Sequence, residues 1–157
     1  VGTGRGYLAA CEYSTNKDKA IFGYGYSGSN ESVTNLVTNQ GVIGTDVTGV
    51  GTARHVVSAC GYGGDKGIFG FGTTGSLTGV TNLVSNVGVV ATDTSAVGTA
   101  KVYLAATQYG DDKGIFAYGT TGSIVSTKNL VSNAGVVATD VAGVGTARKS
   151  LAACSFN

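Results

Sequence analysis

The chain has 157 residues, a formal net charge of +1 and 12% charged residues, so it lacks the basic surface that a nucleic-acid-binding domain needs. It holds 27 glycines and no proline, and because each glycine inside a helix costs roughly 1 kcal/mol relative to alanine, this composition excludes a helical protein. The abundance of valine and threonine, which fit a pleated surface, therefore predicts an all-β fold.

The sequence consists of three near-copies of one segment and a partial fourth copy. The copies cover 1–49, 50–96 and 97–143, and the partial copy covers 144–157. The second and third copies are identical at 28 of 47 positions. A period of about 40 to 50 residues is typical of stacked units that bury their apolar faces only against one another. We therefore treat the chain as a single repeat domain.

Each copy is predicted to form four short strands, which the second copy illustrates in chain order. Residues 54–61 (RHVVSACG) are apolar on both faces, as a strand buried on both sides is. A turn leads to a second strand over 66–72 (KGIFGFG). After a polar loop, 80–85 (VTNLVS) and 89–92 (VVAT) predict the third and fourth strands. Four strands with short turns predict an antiparallel meander.

A four-stranded meander with this period is typical of a β-propeller blade. A β-solenoid is the alternative, but its coils are usually shorter. Propellers close with about four to eight blades, whereas this chain is predicted to hold three and one extra innermost strand over 148–156. Because three blades leave two apolar faces exposed, we expect either the missing blades of a longer chain or a ring closed by several copies of this chain.

Two recurring motifs carry a resemblance to a known family. An opening segment ends in a basic residue in Thr52-Ala53-Arg54 and Thr146-Ala147-Arg148, with Gly4-Arg5 and Ala100-Lys101 as variants. The second strands contain IFGYG, IFGFG and IFAYG. With an Arg opening the innermost strand and an apolar strand ending in glycines, the copies resemble kelch repeats over nearly the whole chain, with Gly-x-Gly or Ala-x-Gly in place of Gly-Gly and without the Trp of that family.

The resemblance to kelch repeats implies a β-propeller, and it implies a protein-interaction adaptor as one role. The near-identical, proline-free copies rich in Gly, Thr and Val are also similar to repeat proteins encoded by tailed bacteriophages. That second resemblance implies a viral structural protein. Neither resemblance supplies a catalytic motif.

Basic and acidic residues recur at fixed places in the copies. The basic positions are Arg5, Arg54, Lys101 and Arg148, and an Asp precedes three basic residues by eight positions, at Asp46, Asp93 and Asp140. A functional interpretation is a ring of ligand-binding carboxylates or a cation site. However, one Asp per copy falls short of the six to eight oxygens that calcium typically needs. We therefore favour a structural role, in which the Asp pairs with or caps the start of the next blade, and we expect no metal and no cofactor.

Asparagine and tyrosine supply the candidate ligand-binding residues. Asn35, Asn82 and Asn129 lie inside a predicted strand, where Asn is disfavoured, so they either satisfy backbone groups at the blade edge or face a ligand. Tyr13, Tyr62 and Tyr109 could stack on sugars or pack between blades. Both alternatives remain open for both sets.

The single histidine and the three cysteines give no reactive site. His55 has no histidine at the equivalent position of another copy and no Ser–His–Asp pattern around it, so we interpret it as a tolerated rim substitution. Cys11, Cys60 and Cys154 occupy one repeat position, where the third copy has Thr107. Equivalent positions in neighbouring repeats are usually too far apart for a disulfide, so these residues are predicted to be small buried hydrophobic residues.

The sequence thus predicts a non-enzymatic, structural or adhesive β-propeller module on a virion or outside a cell that closes its ring by self-association. One alternative is a glycan-binding lectin with a weak site in each blade, and another is a kelch-type adaptor that binds a protein. Copies of the chain itself, or the missing blades of a longer one, are the expected partners, with a glycan as a further partner. Nucleic acid binding and membrane insertion are not expected.

Overall fold

A computed structural model describes residues 2–155 and contains nine strands and no helix among them. In these residues there is accordingly no helix long and apolar enough to cross a membrane. The strands, in chain order, are β1 Ala9–Tyr13, β2 Lys19–Tyr26, β3 Asn30–Val37, β4 Ser58–Tyr62, β5 Lys66–Gly70, β6 Thr81–Val84, β7 Ala105–Tyr109, β8 Lys113–Ala117 and β9 Lys128–Val131. The prediction of an all-β fold is confirmed.

Each of the three copies forms one antiparallel sheet of three strands. The strand orders are β1-β2-β3, β4-β5-β6 and β7-β8-β9, so every sheet is a meander of consecutive strands. The register repeats from copy to copy: Cys11 pairs with Ile21, Cys60 with Ile68 and Thr107 with Ile115. Because the side-chain period of a strand is two, this common register places equivalent side chains on the same face of all three sheets.

The segment predicted as a fourth strand does not form a continuous one. In the second copy it pairs with β6 only through two isolated bridges, Val84 with Val90 and Thr81 with Thr94, and the register shifts by one residue between them. At the shift, the Asn82 amide donates a hydrogen bond to the Ala91 carbonyl oxygen at 3.0 Å. A side chain thus takes up a backbone acceptor that a regular ladder would have paired with a backbone amide.

The first strands are also shorter than predicted. In the second copy the strand begins at Ser58 and not at Arg54, because the preceding segment turns through Val56, whose φ of 53° is left-handed. The equivalent residues Tyr7, Tyr103 and Ser150 have φ values of 55°, 56° and 57°. The opening segment of every copy therefore follows one bent path before its strand begins.

The extra strand predicted over 148–156 is absent from the part that the structure describes. Residues 148–155 are irregular, and Phe156 lies outside the described residues. In the complete copies the corresponding first strand is paired with the second strand of its own copy. Among residues 2–155, no strand pairs with 148–155 to form a ladder.

Neighbouring sheets pack through aromatic rings. Tyr24 of β2 meets Phe69 of β5 with ring centroids 5.2 Å apart and an interplanar angle of 64°. Phe71 and Phe116 repeat this edge-to-face contact at the next junction with the same distance and angle. All four rings are fully buried. The two junctions between copies are therefore built in the same way.

The first strands lie at the centre of this packing. In residues 2–155, β1 packs against β4 and β5, and β4 packs against β7 and β8, whereas the third strands of neighbouring sheets share no comparable contact. The sheets thus approach one another most closely along their first strands. The described part of the chain is a fan of three sheets.

Candidate functional site

A buried polar network occupies the centre of each copy. In the second copy, Arg54 is fully buried and donates through Nε to the Phe71 carbonyl oxygen at 2.9 Å and through a terminal nitrogen to Asn82 Oδ1 at 2.8 Å. Asn82 Nδ2 donates in turn to Asp93 Oδ1 at 2.9 Å. Asp93 accepts the backbone N–H of Thr52 at 3.1 Å. The network joins the opening segment, β6 and the segment after β6 of the same copy.

The other copies contain the same network. Arg5 donates to Asn35 at 2.6 Å, and Asn35 donates to Asp46 at 2.9 Å. The third copy has Lys101, Asn129 and Asp140 in these places, with both distances at 2.8 Å. Each Asp is therefore linked through an Asn to the basic residue of its own copy, and not to that of the next blade as predicted. The meander returns this segment to the start of its own sheet, which the eight-residue spacing does not reveal.

The glycine of the recurring Val-Gly-Thr motif belongs to this network. Gly51 has a φ of +77°, and a Cβ atom there would lie 2.3 Å from Asp93 Oδ1 and 2.5 Å from Asn82 Nδ2. Gly2 and Gly98 have φ values of +74° and +81° and face the equivalent Asp and Asn side chains. A glycine is required because both the backbone conformation and the space exclude a side chain. The motif therefore marks the closing contact of each copy.

The network lowers the pKa of its carboxyl groups. Hydrogen bonds from Thr3 and Asn35 lower the pKa of Asp46 to about 2. For Asp93, burial alone would raise the pKa, but hydrogen bonds from Thr52 and Asn82 outweigh burial and hold the pKa below its ordinary value. The pKa of Asp140 is lowered in the same way. These carboxylates are therefore charged acceptors fixed by the fold.

The three asparagines that were predicted as possible ligand-binding residues belong to the same network. Asn35, Asn82 and Asn129 are at most 5% exposed. In each, the amide oxygen accepts from the basic residue, while the amide nitrogen donates to the Asp and to a backbone carbonyl oxygen, that of Gly44 in the first copy. Every hydrogen-bonding group of these side chains has a partner in the protein. The contacts favour the structural alternative for these three side chains.

Two of the predicted tyrosines pack between copies. Tyr13 and Tyr62 are both 4% exposed. The Tyr13 ring lies against Gly88 and the Tyr62 ring lies against Gly135, each in a turn of the following copy. Tyr109 has no complete copy after it and is 38% exposed. Of the three, only Tyr109 presents its ring to solvent.

The inner edge of the fan contains a cleft of about 340 Å³. Its lining includes Glu12, Gln108 and Cys154 from three copies. Cys11 and Cys60 are buried free thiols, as predicted, whereas Cys154 is exposed. Burial raises the pKa of the Cys60 thiol to about 12 and also raises that of Cys11. Both thiols are therefore protonated at neutral pH and unreactive.

His55 lies at an exposed edge between the first and second copies. Its Nδ1 is 2.7 Å from Asn30 Oδ1, and its ring lies beside Tyr7 and Tyr26. The sequence predicts His55 as an isolated rim residue and does not indicate its contact with these tyrosines. The available signal was the difference between copies, because the residues equivalent to Tyr26 are Thr73 and Thr120.

Residues 2–155 bring together no group of three or more His, Cys, Asp or Glu side chains able to hold a metal ion. In comparisons with known proteins, no family model and no curated protein matches the sequence. The assignment of a function therefore depends on the repeat geometry, the exposed ends of the fan and the edge around His55.

Proposed function

We propose that this chain is a non-enzymatic, kelch-like β-propeller module with a structural or adhesive role on a virion or outside a cell, and that it completes its ring by packing against copies of itself. The observation that carries the proposal is that both ends of the fan expose halves of the contact that joins its copies internally. The sheets also radiate from their first strands, which supports the arrangement of blades around an axis.

At the N-terminal end of the fan, which we call the first end, residues equivalent to those of the internal junctions line an open cavity. At the internal junction, the Tyr24 ring fills the space between Phe69 and Arg54, with the Arg54 guanidinium carbon 4.2 Å from the ring centroid. At the first end, Arg5 and Phe22 line an open cavity of about 220 Å³. Phe22 is half-buried, whereas the equivalent Phe69 and Phe116 are fully buried. An aromatic side chain from another copy would complete this site.

The last end presents the complementary residues. Tyr118, which is equivalent to Tyr24, is half-buried, and Tyr109 is exposed where Tyr13 and Tyr62 are covered by a following copy. The last end therefore holds the residues that match the first end of a second chain, beside residues 148–153 of the partial copy. Because the two faces differ, the contact is head-to-tail, and such contacts close into rings when the rotation per copy permits.

The partial fourth copy determines how closure would proceed. Leu-Ala-Ala-Cys occurs at 8–11 and again at 151–154, and Arg148 stacks on Tyr118 with its guanidinium carbon 4.4 Å from the ring centroid. In a head-to-tail pair, residues 148–154 of one chain and residues 5–11 of the next would occupy the same place. One segment must displace the other, so association would involve an exchange of these segments.

The test is the solution mass of the chain by light scattering during size-exclusion chromatography. We expect a defined dimer or larger ring for the unmodified protein and a shift towards monomer for Phe22→Ser, which places a polar group in the end contact. Ile124→Ser is the matched control, since Ile124 is a 50% exposed residue in the loop between β8 and β9 of the third copy. A folded monomer at all concentrations would contradict self-association.

A further inference from the structure

Three rings form an exposed aromatic edge at the junction of the first and second copies. The edge consists of Tyr7, Tyr26 and His55. The His55 ring centroid lies 5.9 Å from that of Tyr7 and 5.2 Å from that of Tyr26. Tyr7 is 64% exposed and Tyr26 is 43% exposed. Two large rings are thus open to solvent on both sides of one imidazole.

Backbone contacts hold the aromatic edge in place. Gly6 and Tyr26 exchange two backbone hydrogen bonds of 2.9 Å. Because Gly6 directly precedes Tyr7, these bonds hold the backbones of Tyr26 and Tyr7 close together. Val56, the residue after His55, donates its backbone N–H to the Tyr7 carbonyl oxygen at 2.9 Å. The three rings are therefore attached to fixed backbone and not to a long loop. A fixed surface lowers the entropic cost of binding.

The hydrogen bond to Asn30 sets the chemistry of His55. An amide oxygen can only accept, so at 2.7 Å from Asn30 Oδ1 the Nδ1 of the imidazole carries the proton. In the neutral ring, Nε2 is then an acceptor. The aromatic edge thus combines two apolar ring faces with an acceptor suited to a hydroxyl group.

The charge beside the aromatic edge excludes strongly anionic ligands. Glu31 follows Asn30 in β3, and its carboxylate accepts hydrogen bonds from the hydroxyls of Ser27 and Ser29. The nearby Arg54 does not offset this charge at the surface, because it is fully buried and directed to Asn82. A phosphate, sulfate or carboxylate ligand would be repelled by the Glu31 carboxylate.

The other copies show that the fold does not need these rings. At the second junction the equivalents of Tyr7, Tyr26 and His55 are Val56, Thr73 and Val102, and the backbone bridge of His55 with Thr73 recurs as that of Val102 with Thr120. Tyr103 repeats Tyr7, but Lys149 lies over its ring at 5.9 Å and Thr120 replaces Tyr26. One junction therefore combines three rings, whereas its equivalents fold with none of them or with one.

We propose that the aromatic edge binds a neutral saccharide. The sugar ring lies against Tyr7 and Tyr26, whose flat faces match the apolar face of a pyranose, and a sugar hydroxyl donates to His55 Nε2. The saccharide class fits because the surface is open and aromatic and offers a hydrogen-bond acceptor between the two tyrosine rings. The proposal gives the adhesive role a ligand and does not depend on ring closure.

The experiment measures saturation transfer by NMR from the protein to neutral hexasaccharides of glucose (α1,4 and β1,4), mannose, galactose and N-acetylglucosamine. The variants Tyr26→Thr and His55→Val introduce residues that the protein already holds at equivalent positions, so the fold is expected to persist. Tyr103→Val is the matched control, because it removes an exposed tyrosine from the same backbone conformation at another junction.

We expect transfer to at least one hexasaccharide, with an affinity that falls up to about tenfold in Tyr26→Thr, the size of one lost aromatic contact, and is unchanged in Tyr103→Val. Absence of transfer to the whole panel would overturn the proposal. So would unchanged binding by Tyr26→Thr. The same measurement with sialylated and sulfated hexasaccharides completes the test, and binding of these alone would also overturn the proposal. Light scattering on the same samples separates this outcome from a failure of self-association.

Discussion

Arg54 and Lys101 occupy the same place in successive copies, but they do not make the same contacts. Arg54 donates to the carbonyl oxygens of Phe71 and Thr52 and to Asn82. Lys101, which is also fully buried, reaches Asn129 at 2.8 Å and the Thr127 carbonyl oxygen at 3.4 Å. Burial lowers the pKa of both groups. The forked guanidinium of Arg54 thus joins the opening segment, the residue after β5, and β6, whereas the ammonium of Lys101 bonds only to β9 and the residue before it.

Exchanging the two basic residues tests this difference. We expect Arg54→Lys to lower the free energy of unfolding by about 2 kcal/mol, because buried carbonyl oxygens lose charged donors. Lys101→Arg is expected to raise it by about 1 kcal/mol by adding such donors. Urea unfolding followed by circular dichroism measures both changes, and Lys113→Arg, at an exposed position, is the control. Equal effects of the two substitutions would contradict the assignment.

The asparagine positions show how far the roles of single residues could be predicted from the sequence. Their disfavoured place inside a strand correctly marked Asn35, Asn82 and Asn129 as unusual residues. The sequence could not choose between backbone satisfaction and ligand binding, because the choice depends on contacts across the sheet. Asn82 and Asp93, for example, meet only when the segment after β6 folds back along it.

Close packing between second strands depends on small residues. Gly70 of β5 faces Phe116 of β8, and a Cβ atom at Gly70 would lie 2.9 Å from the Phe116 ring and 3.1 Å from the Thr81 methyl group. The third copy has Ala117 at the equivalent position, and in residues 2–155 no further sheet packs against it. The glycine is therefore required by the neighbouring copy and not by its own strand.

The corresponding prediction concerns Gly70→Ala, which we expect to lower the free energy of unfolding by about 1 to 3 kcal/mol through overpacking against a fully buried ring. Gly4→Ala is the control: it restores the alanine of the other copies, and its Cβ atom would meet no atom within 4 Å. Thermal unfolding of the two variants checks the expectation. A loss of stability of the same size in both would show that general glycine effects dominate.

At the level of elements, the sequence predicted the second and third strands of the second copy to within two residues at each end. The first strand was predicted too long. The chain turns through a left-handed conformation at Val56, and because β-branched residues rarely adopt a positive φ, the sequence does not indicate this turn. The fourth strand was predicted where the structure has two bridges with a register shift. Alternation of apolar residues marks an extended segment but does not show whether its backbone pairs.

For the whole molecule, three equivalent networks give the fold a common response to acid. Asp46, Asp93 and Asp140 each close the opening segment of one copy, and the pKa of each is lowered in the folded state. The folded protein therefore binds fewer protons than the unfolded chain as the pH falls below about 4. The stabilisation is present above the ordinary Asp pKa of 3.8 and is lost between about pH 4 and about pH 2, the folded-state pKa of Asp46.

We expect the free energy of unfolding of the unmodified protein to fall steeply over this range. The triple variant Asp46→Asn, Asp93→Asn, Asp140→Asn is expected to be less stable at pH 7, and its stability is expected to depend less on acid. Asn at Asp18, Asp65 and Asp112 is the matched control. The pKa values of these turn carboxyls are also lowered, by Ser14 or by the adjacent lysine, but they do not close a copy. Because these carboxyls are exposed or half-exposed and screened by solvent, the control should change both the stability at pH 7 and the acid response less than the network variant does. Unfolding curves from pH 7 to pH 2 distinguish the two sets, and equal losses at pH 7 would show that the networks do not hold the three copies together.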